Sequence, residues 1–143
     1  MIETLPQDIL AVIRPVAEYQ RSSFGAIPEA AAIMKTQYDL VSEIDITSER
    51  MLHSGLLDLL PEAAFFGEET VRERGESRYL WVVDPLDGTT NFIRGINIWT
   101  ISVALMDEEQ CVAAVIHQPA TGETFTALRG HGAERDGLPL PVA

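Results

Sequence analysis

Trp81-Val82-Val83-Asp84-Pro85-Leu86-Asp87-Gly88-Thr89-Thr90-Asn91-Phe92 carries an apolar strand directly into two carboxylates three positions apart. A strand of this kind delivers both acids to a turn. Pro85 fixes its own φ and Gly88 permits backbone angles closed to other residues, so Asp84 and Asp87 can converge and a carbonyl such as that of Leu86 can turn inward. Clustered oxygen donors suit Mg²⁺, a hard cation that keeps several waters and takes a few carboxylates plus substrate phosphate. The same residues also fit an ordinary Asp-Pro-x-Asp-Gly turn that satisfies its own backbone, and spacing alone leaves both readings open.

Around this segment, from Ala63 onward, short runs rich in β-branched and aromatic residues alternate with turn residues. They predict strands near Ala64 to Gly67, Tyr79 to Asp84, Trp99 to Met106, Cys111 to Gln118, Glu123 to Leu128 and Gly132 to Arg135. The links between the later strands are short, which favours antiparallel neighbours. Before Ala63 the period changes. Thr4, Pro6 and Gln7 form a start signal, and Ile9, Ile13, Val16 and Ala17 recur at helical spacing, predicting a helix over residues 5 to 21 with a bend or break at Pro15. A second helix is predicted from about Ile44 to Leu60, with Leu52, Leu56, Leu59 and Leu60 on one face and Pro61 ending it. The order is α+β: two N-terminal helices packed on a largely antiparallel sheet, within one domain spanning residues 1–143.

Composition narrows the function classes. The formal charge of −12, from 22 acidic against 10 basic residues, repels a phosphate backbone and argues against nucleic acid as a partner. Bound cations would reverse that field locally for a small anionic substrate. The apolar stretches are short, and Met1-Ile2-Glu3-Thr4 has neither a basic nor an apolar leader character, so neither membrane insertion nor secretion is expected. The single Cys111 lies in the apolar run Cys111-Val112-Ala113-Ala114-Val115-Ile116 and reads as a buried, reduced thiol, which places the chain in the cytoplasm. His53, His117 and His131 lack a metal-ligand spacing and read as surface or internally satisfied positions.

The segment Asp84 to Phe92 resembles the inositol monophosphatase signature D-P-[IL]-D-G-T-x-N-F at every position. Upstream, Gly67-Glu68-Glu69-Thr70 is similar to that family's G-E-E-[ST], and Asp39-Leu40-Val41-Ser42-Glu43-Ile44-Asp45 to its D-L-V-T-x-x-D. Downstream, Gly130-His131-Gly132-Ala133 through Asp136-Gly137 is similar to G-x-G-A-x-x-N-G, with Asp136 where the family usually has Asn. The resemblance covers the chain in family order, and corresponds to the N-terminal half of the family's layered αβαβα fold.

The resemblance implies Mg²⁺, with Mn²⁺ as a substitute, held by Glu68, Asp84 and the Leu86 carbonyl at one position and by Asp84 and Asp87 at a second. It assigns Asp45 and Thr89 to orienting and deprotonating a water, with Glu68 beside them in catalysis. The amides of Gly88 and Thr89 are assigned to the substrate phosphate and Asp87 to a substrate hydroxyl. Lys35 lies near a basic position that the family keeps close to this site, whereas Glu69 and Thr70 read equally well as surface loop. The implied activity is hydrolysis of inositol monophosphate or a related small phosphorylated alcohol. Relatives acting on fructose bisphosphate or phosphoadenosine phosphate, and a metal-binding module without turnover, stay open. A further family ligand, in a W-D-x-A-A segment, has no counterpart here, because Trp81 precedes Val82 and Trp99 precedes Thr100. The chain is therefore expected to be a truncated form of low activity, and surface left uncovered by the missing half is expected to drive homo-oligomer formation.

Overall fold

Ile9, Ile13, Val16 and Ala17 line one side of helix α1 (Leu5–Ser23) and are buried almost completely. Burial of each larger side chain among them stabilises the fold by about 1.5–3 kcal/mol. A computed structural model describes residues 2–25, 34–68, 72–73 and 76–141 of the chain. Pro6 occupies the first turn of α1, where its missing N–H costs no helical bond. Thr4 stands at the N-cap, but its hydroxyl donates to Asp8 Oδ2 at 3.0 Å and makes no cap bond to the backbone. Of the bend or break expected at Pro15, the break does not occur: α1 runs through it, and Pro15 and Ala11 both lie on the exposed side, where water can serve the Ala11 carbonyl that loses its donor.

The second helix, α2 (Met34–Leu59), begins ten residues before the start expected at Ile44. Its buried Leu52 and Leu56 join the α1 stripe in a single core with Trp81, Val83, Ile101, Val103, Ala113 and Val115 of the sheet. Gly55 permits close helix crossing, since a methyl group there would stand 2.5 Å from Val12 Cγ1.

The strands are β1 (Ala64–Phe66), β2 (Arg72–Glu73), β3 (Tyr79–Asp87), β4 (Thr100–Asp107), β5 (Gln110–His117), β6 (Thr124–Leu128), β7 (Gly132–Arg135) and β8 (Leu138–Pro139). A short helix, α3 (Thr89–Ile93), follows β3. Among the described residues they form one sheet in the order β2-β1-β3-β4-β5-β6-β7-β8, in which β1–β3 is parallel and every other pairing antiparallel. The α+β arrangement of helices on a largely antiparallel sheet is as expected; β2 and β8, two residues each, carry too little pattern to be foreseen.

Both long helices cover the same side of the sheet. On the other side Phe66, Val82 and Ile116 are about two-fifths exposed, at 42%, 37% and 43%. This corrects the expectation for Cys111, which is exposed. In β5 the side chains of Ala113, Val115 and His117 point to the helices, and an irregularity in register sets Cys111 opposite Met106 on the open side. An apolar run on a sheet covered on one side still sends alternate residues outward. Among the described residues, no helix is long and apolar enough to cross a membrane.

Candidate active site

Strand β3 holds the two carboxylates, and its pairing with β4 explains how they come together. Asp84 lies opposite Ser102 and Asp87 opposite Thr100, so Pro85 and Leu86 together face the single residue Ile101. This is a β-bulge. Simple alternation would send residues three apart to opposite sides of the sheet. The extra residue cancels that parity and returns Asp87 to the side of Asp84, away from the inward-facing Trp81 and Val83. Pro85 suits the bulge because it has no N–H to withhold from the ladder.

The bulge drives Leu86 inward, where it is 3% exposed and packs with Val41 and Ile44 of α2, Phe92 of α3, and Trp99. Phe24, Phe92 and Trp99 stack around it, with ring centroids 4.7–5.4 Å apart. The Leu86 carbonyl accepts the Thr89 hydroxyl at 3.4 Å. Gly88 between them has φ +105°, and a side chain there would meet the Ile98 carbonyl at 3.1 Å, so both its angle and its surroundings require glycine.

Two further elements reach the same end of the sheet. Phe66 of β1 is level with Val82 of the parallel strand β3, and Glu68 follows two residues after β1 ends. From α2, Asp45 is buried at 6% exposure, one residue from the Ile44 that packs on Leu86. The Asp84 Oδ1 and Asp45 Oδ1 atoms are withdrawn from solvent, and Asp45, Glu68 and Asp84 each have interactions within the protein.

Asp84, the Leu86 carbonyl and Asp87 are thus brought to one turn, and Thr89 follows directly after it. They are hard oxygen donors, the chemistry Mg²⁺ or Mn²⁺ takes. Among the described residues, no three His, Cys, Asp or Glu side chains already close around a common point. Glu69 and Thr70 lie outside the described residues, as do the side chains of Lys35, Asp39 and Ser42. Gly88 is the N-cap of α3, and Asn91 donates to the Ile98 carbonyl at 2.9 Å, bracing the loop into β4. The three histidines stay apart: His53 packs edge-on against Phe65, His131 is exposed, and His117 is buried with Nδ1 2.8 Å from Thr124 Oγ1.

Two polar residues at this end escape sequence reasoning. Gln20 and Glu49 are both 0% exposed. Gln20 falls on the α1 stripe of Ile9, Ile13 and Val16, and Glu49 on the buried line of Asp45, Leu52 and Leu56; a polar residue on an otherwise apolar helix face was the available signal. Gly67, just before Glu68, makes room for Glu49, since a methyl group there would collide with its Oε1.

The sequence model of the inositol monophosphatase family matches residues 7–143. The chain belongs to the inositol monophosphatase family. It is 42% identical over 111 residues to an inositol-1-monophosphatase of Rhizobium meliloti, covering 77% of this chain and 42% of that protein. It is 39% identical over 111 residues to Nus factor SuhB of Xylella fastidiosa, covering 78% of this chain and 40% of that one. The extragenic suppressor protein suhB of Bartonella henselae superposes with a TM-score of 0.83 at 30% identity, over 98% of this chain and 54% of that structure. The chain thus spans about half the length of the inositol monophosphatase family members it matches.

Proposed function

We propose that this chain is the metal-binding half of a magnesium-dependent phosphatase acting on inositol monophosphate or a related small phosphorylated alcohol. The observation that carries this reading is the bulge at Pro85 and Leu86, which sets Asp84 and Asp87 on one side of the sheet in a chain of this family. Glu68, Asp84, Asp87 and the Leu86 carbonyl would hold Mg²⁺, with Mn²⁺ as a substitute. When bound, such ions polarise phosphoryl oxygens and lower the pKa of water from about 15.7 toward about 7. Asp45 and Thr89 act on the attacking water, Asp45 as the proton acceptor and the Thr89 hydroxyl as the group that orients it, and Glu68 assists. The amides of Gly88 and Thr89 face the phosphate, and Asp87 takes a substrate hydroxyl. The net charge of −12 disfavours nucleic acid as substrate. Cytoplasm is the proposed setting, and a homo-oligomer the proposed assembly, because the uncovered sheet side exposes Phe66, Val82 and Ile116.

The test is calorimetric titration of Mg²⁺ and Mn²⁺ into the wild-type chain and into the triple variant Glu68→Gln, Asp84→Asn, Asp87→Asn, with phosphate release from inositol monophosphate measured beside it. Binding in the wild type that is lost in the variant is expected; equal affinity in both rejects the metal assignment. A second reading, a binding module without turnover, is kept because one relative, Nus factor SuhB, carries a name that is not an enzyme's. It is distinguished by cation binding with phosphate release at background both in this chain and in the chain joined to the C-terminal half of a full-length family member.

A further inference from the structure

Where a strand bulges its ladder is interrupted, and a carbonyl buried there needs a partner from elsewhere. For Pro85, buried within the bulge, that partner is Gln20, whose Nε2 donates to the Pro85 carbonyl at 2.7 Å. The same Nε2 donates to Ser48 Oγ of α2 at 3.0 Å, and Gln20 Oε1 accepts from Trp99 Nε1 at 2.9 Å. Trp99 Nε1 only donates and the Pro85 carbonyl only accepts, so the chemistry fixes which way the amide points. Gln20 is 0% exposed, and both its donors and its carbonyl are engaged. One side chain therefore joins α1, α2, the bulge of β3 and the residue leading into β4. Ser48 lies three residues beyond Asp45, so the turn of α2 that carries Asp45 is tied to the same amide.

We propose that Gln20 is a positioning residue for the Asp84–Asp87 turn: its bond to the Pro85 carbonyl holds the bulge that keeps Asp87 beside Asp84, and its bond to Ser48 registers the Asp45 turn of α2 against it. The inference rests on the metal reading given above. Gln20 itself reaches no cation or substrate. Removing its donor takes this bond from a buried carbonyl, and the peptide planes from Pro85 to Gly88 lose that anchor.

The experiment compares the wild-type 143-residue chain with Gln20→Met, which removes all three bonds, and Gln20→Glu, which keeps an acceptor for Trp99 and, read at a pH where the carboxylate is ionised, has no donor for Pro85. Leu56→Ala, a core change that loosens helix packing, serves as the control for stability loss alone. Amide hydrogen exchange at Leu86, Asp87, Gly88 and Thr89 and calorimetric Mn²⁺ affinity are read in each. Both Gln20 variants are expected to speed exchange at those amides at least about tenfold and weaken Mn²⁺ at least about tenfold, beyond any change in the control. If Gln20→Met does not fold, Gln20→Glu decides alone. Exchange at the turn changed no more than in Leu56→Ala overturns the proposal, and so does faster exchange with undiminished Mn²⁺ affinity. A wild-type chain that takes up no Mn²⁺ removes the metal reading instead, and the exchange rates still decide whether Gln20 holds the turn.

Discussion

His117 shows how a single buried ring sets a pH dependence. The Thr124 hydroxyl donates to the Gly122 carbonyl at 3.1 Å, so it is left to accept from His117, which places a hydrogen on Nδ1. Burial, then the positive charges of Arg21 and Arg14, lower the His117 pKa below its ordinary 6.5, and Asp136 opposes them only partly. In the unfolded chain the ring takes up a proton near its ordinary pKa, while in the folded chain it resists until lower pH. Stability from this residue is therefore full above about pH 6.5 and falls as pH drops toward the folded pKa, by about 1.4 kcal/mol per unit of depression. His117→Asn keeps a donor for Thr124 without titrating. The loss of Tm between about pH 7 and about pH 5.5 is expected to be smaller in His117→Asn than in the wild type; equal losses refute the assignment. At this scale Asp84 and Asp87 of the proposed site could be singled out because a strand running into Asp-Pro-x-Asp-Gly is a local pattern. Gln20 and Glu49 could not, because their importance depends on what faces them across the fold, Pro85 and Trp99 for one and Gly67 for the other.

Elements were readable wherever one periodicity dominated, as in α1 and β3 to β6, and failed where packing outweighs pattern. The first ten residues of α2 include Thr36, Tyr38 and Val41, poor helix formers with no clean stripe, yet Val41 and Ile44 find partners in Leu86, Phe92 and Trp99 that stabilise the added turns. The bulge in β3 was equally hidden, since only pairing with β4 shows that two residues oppose one. The crossing of α1 and α2 gives a prediction of its own. Gly55→Ala raises helix propensity by about 0.8–1 kcal/mol, but the new methyl meets Val12 Cγ1 at 2.5 Å, and Val12 is β-branched and stiff. Overpacking of that kind costs about 1–3 kcal/mol, so the clash wins and Gly55→Ala is expected to lower stability. In a Val12→Ala background the same substitution should instead stabilise. Urea unfolding of the four proteins checks both signs, and a stabilising Gly55→Ala in the wild-type background would show that the helices do not cross this closely.

For the whole molecule the governing fact is a sheet that, among the described residues, carries helices on one side only, in a chain about half the length of the relatives it matches. Compared at equal concentration in saturating magnesium, this chain is expected to hydrolyse inositol monophosphate far more slowly than a full-length family member, since the W-D-x-A-A ligand is absent from it. Light scattering is expected to report a species larger than the monomer. Comparable kcat values would remove the need for that ligand, and a strictly monomeric chain would remove the argument from the uncovered side. The margins of the sheet decide what form such association takes. Among the described residues the outermost strands, β2 and β8, are two residues long, and β8 ends on Pro139, which has no N–H to offer. A lateral border this short is a poor template for hydrogen-bonding another strand. For the proposed homo-oligomer, such margins disfavour ribbon-like, open-ended growth and favour closed, saturable stacking of one sheet surface on another.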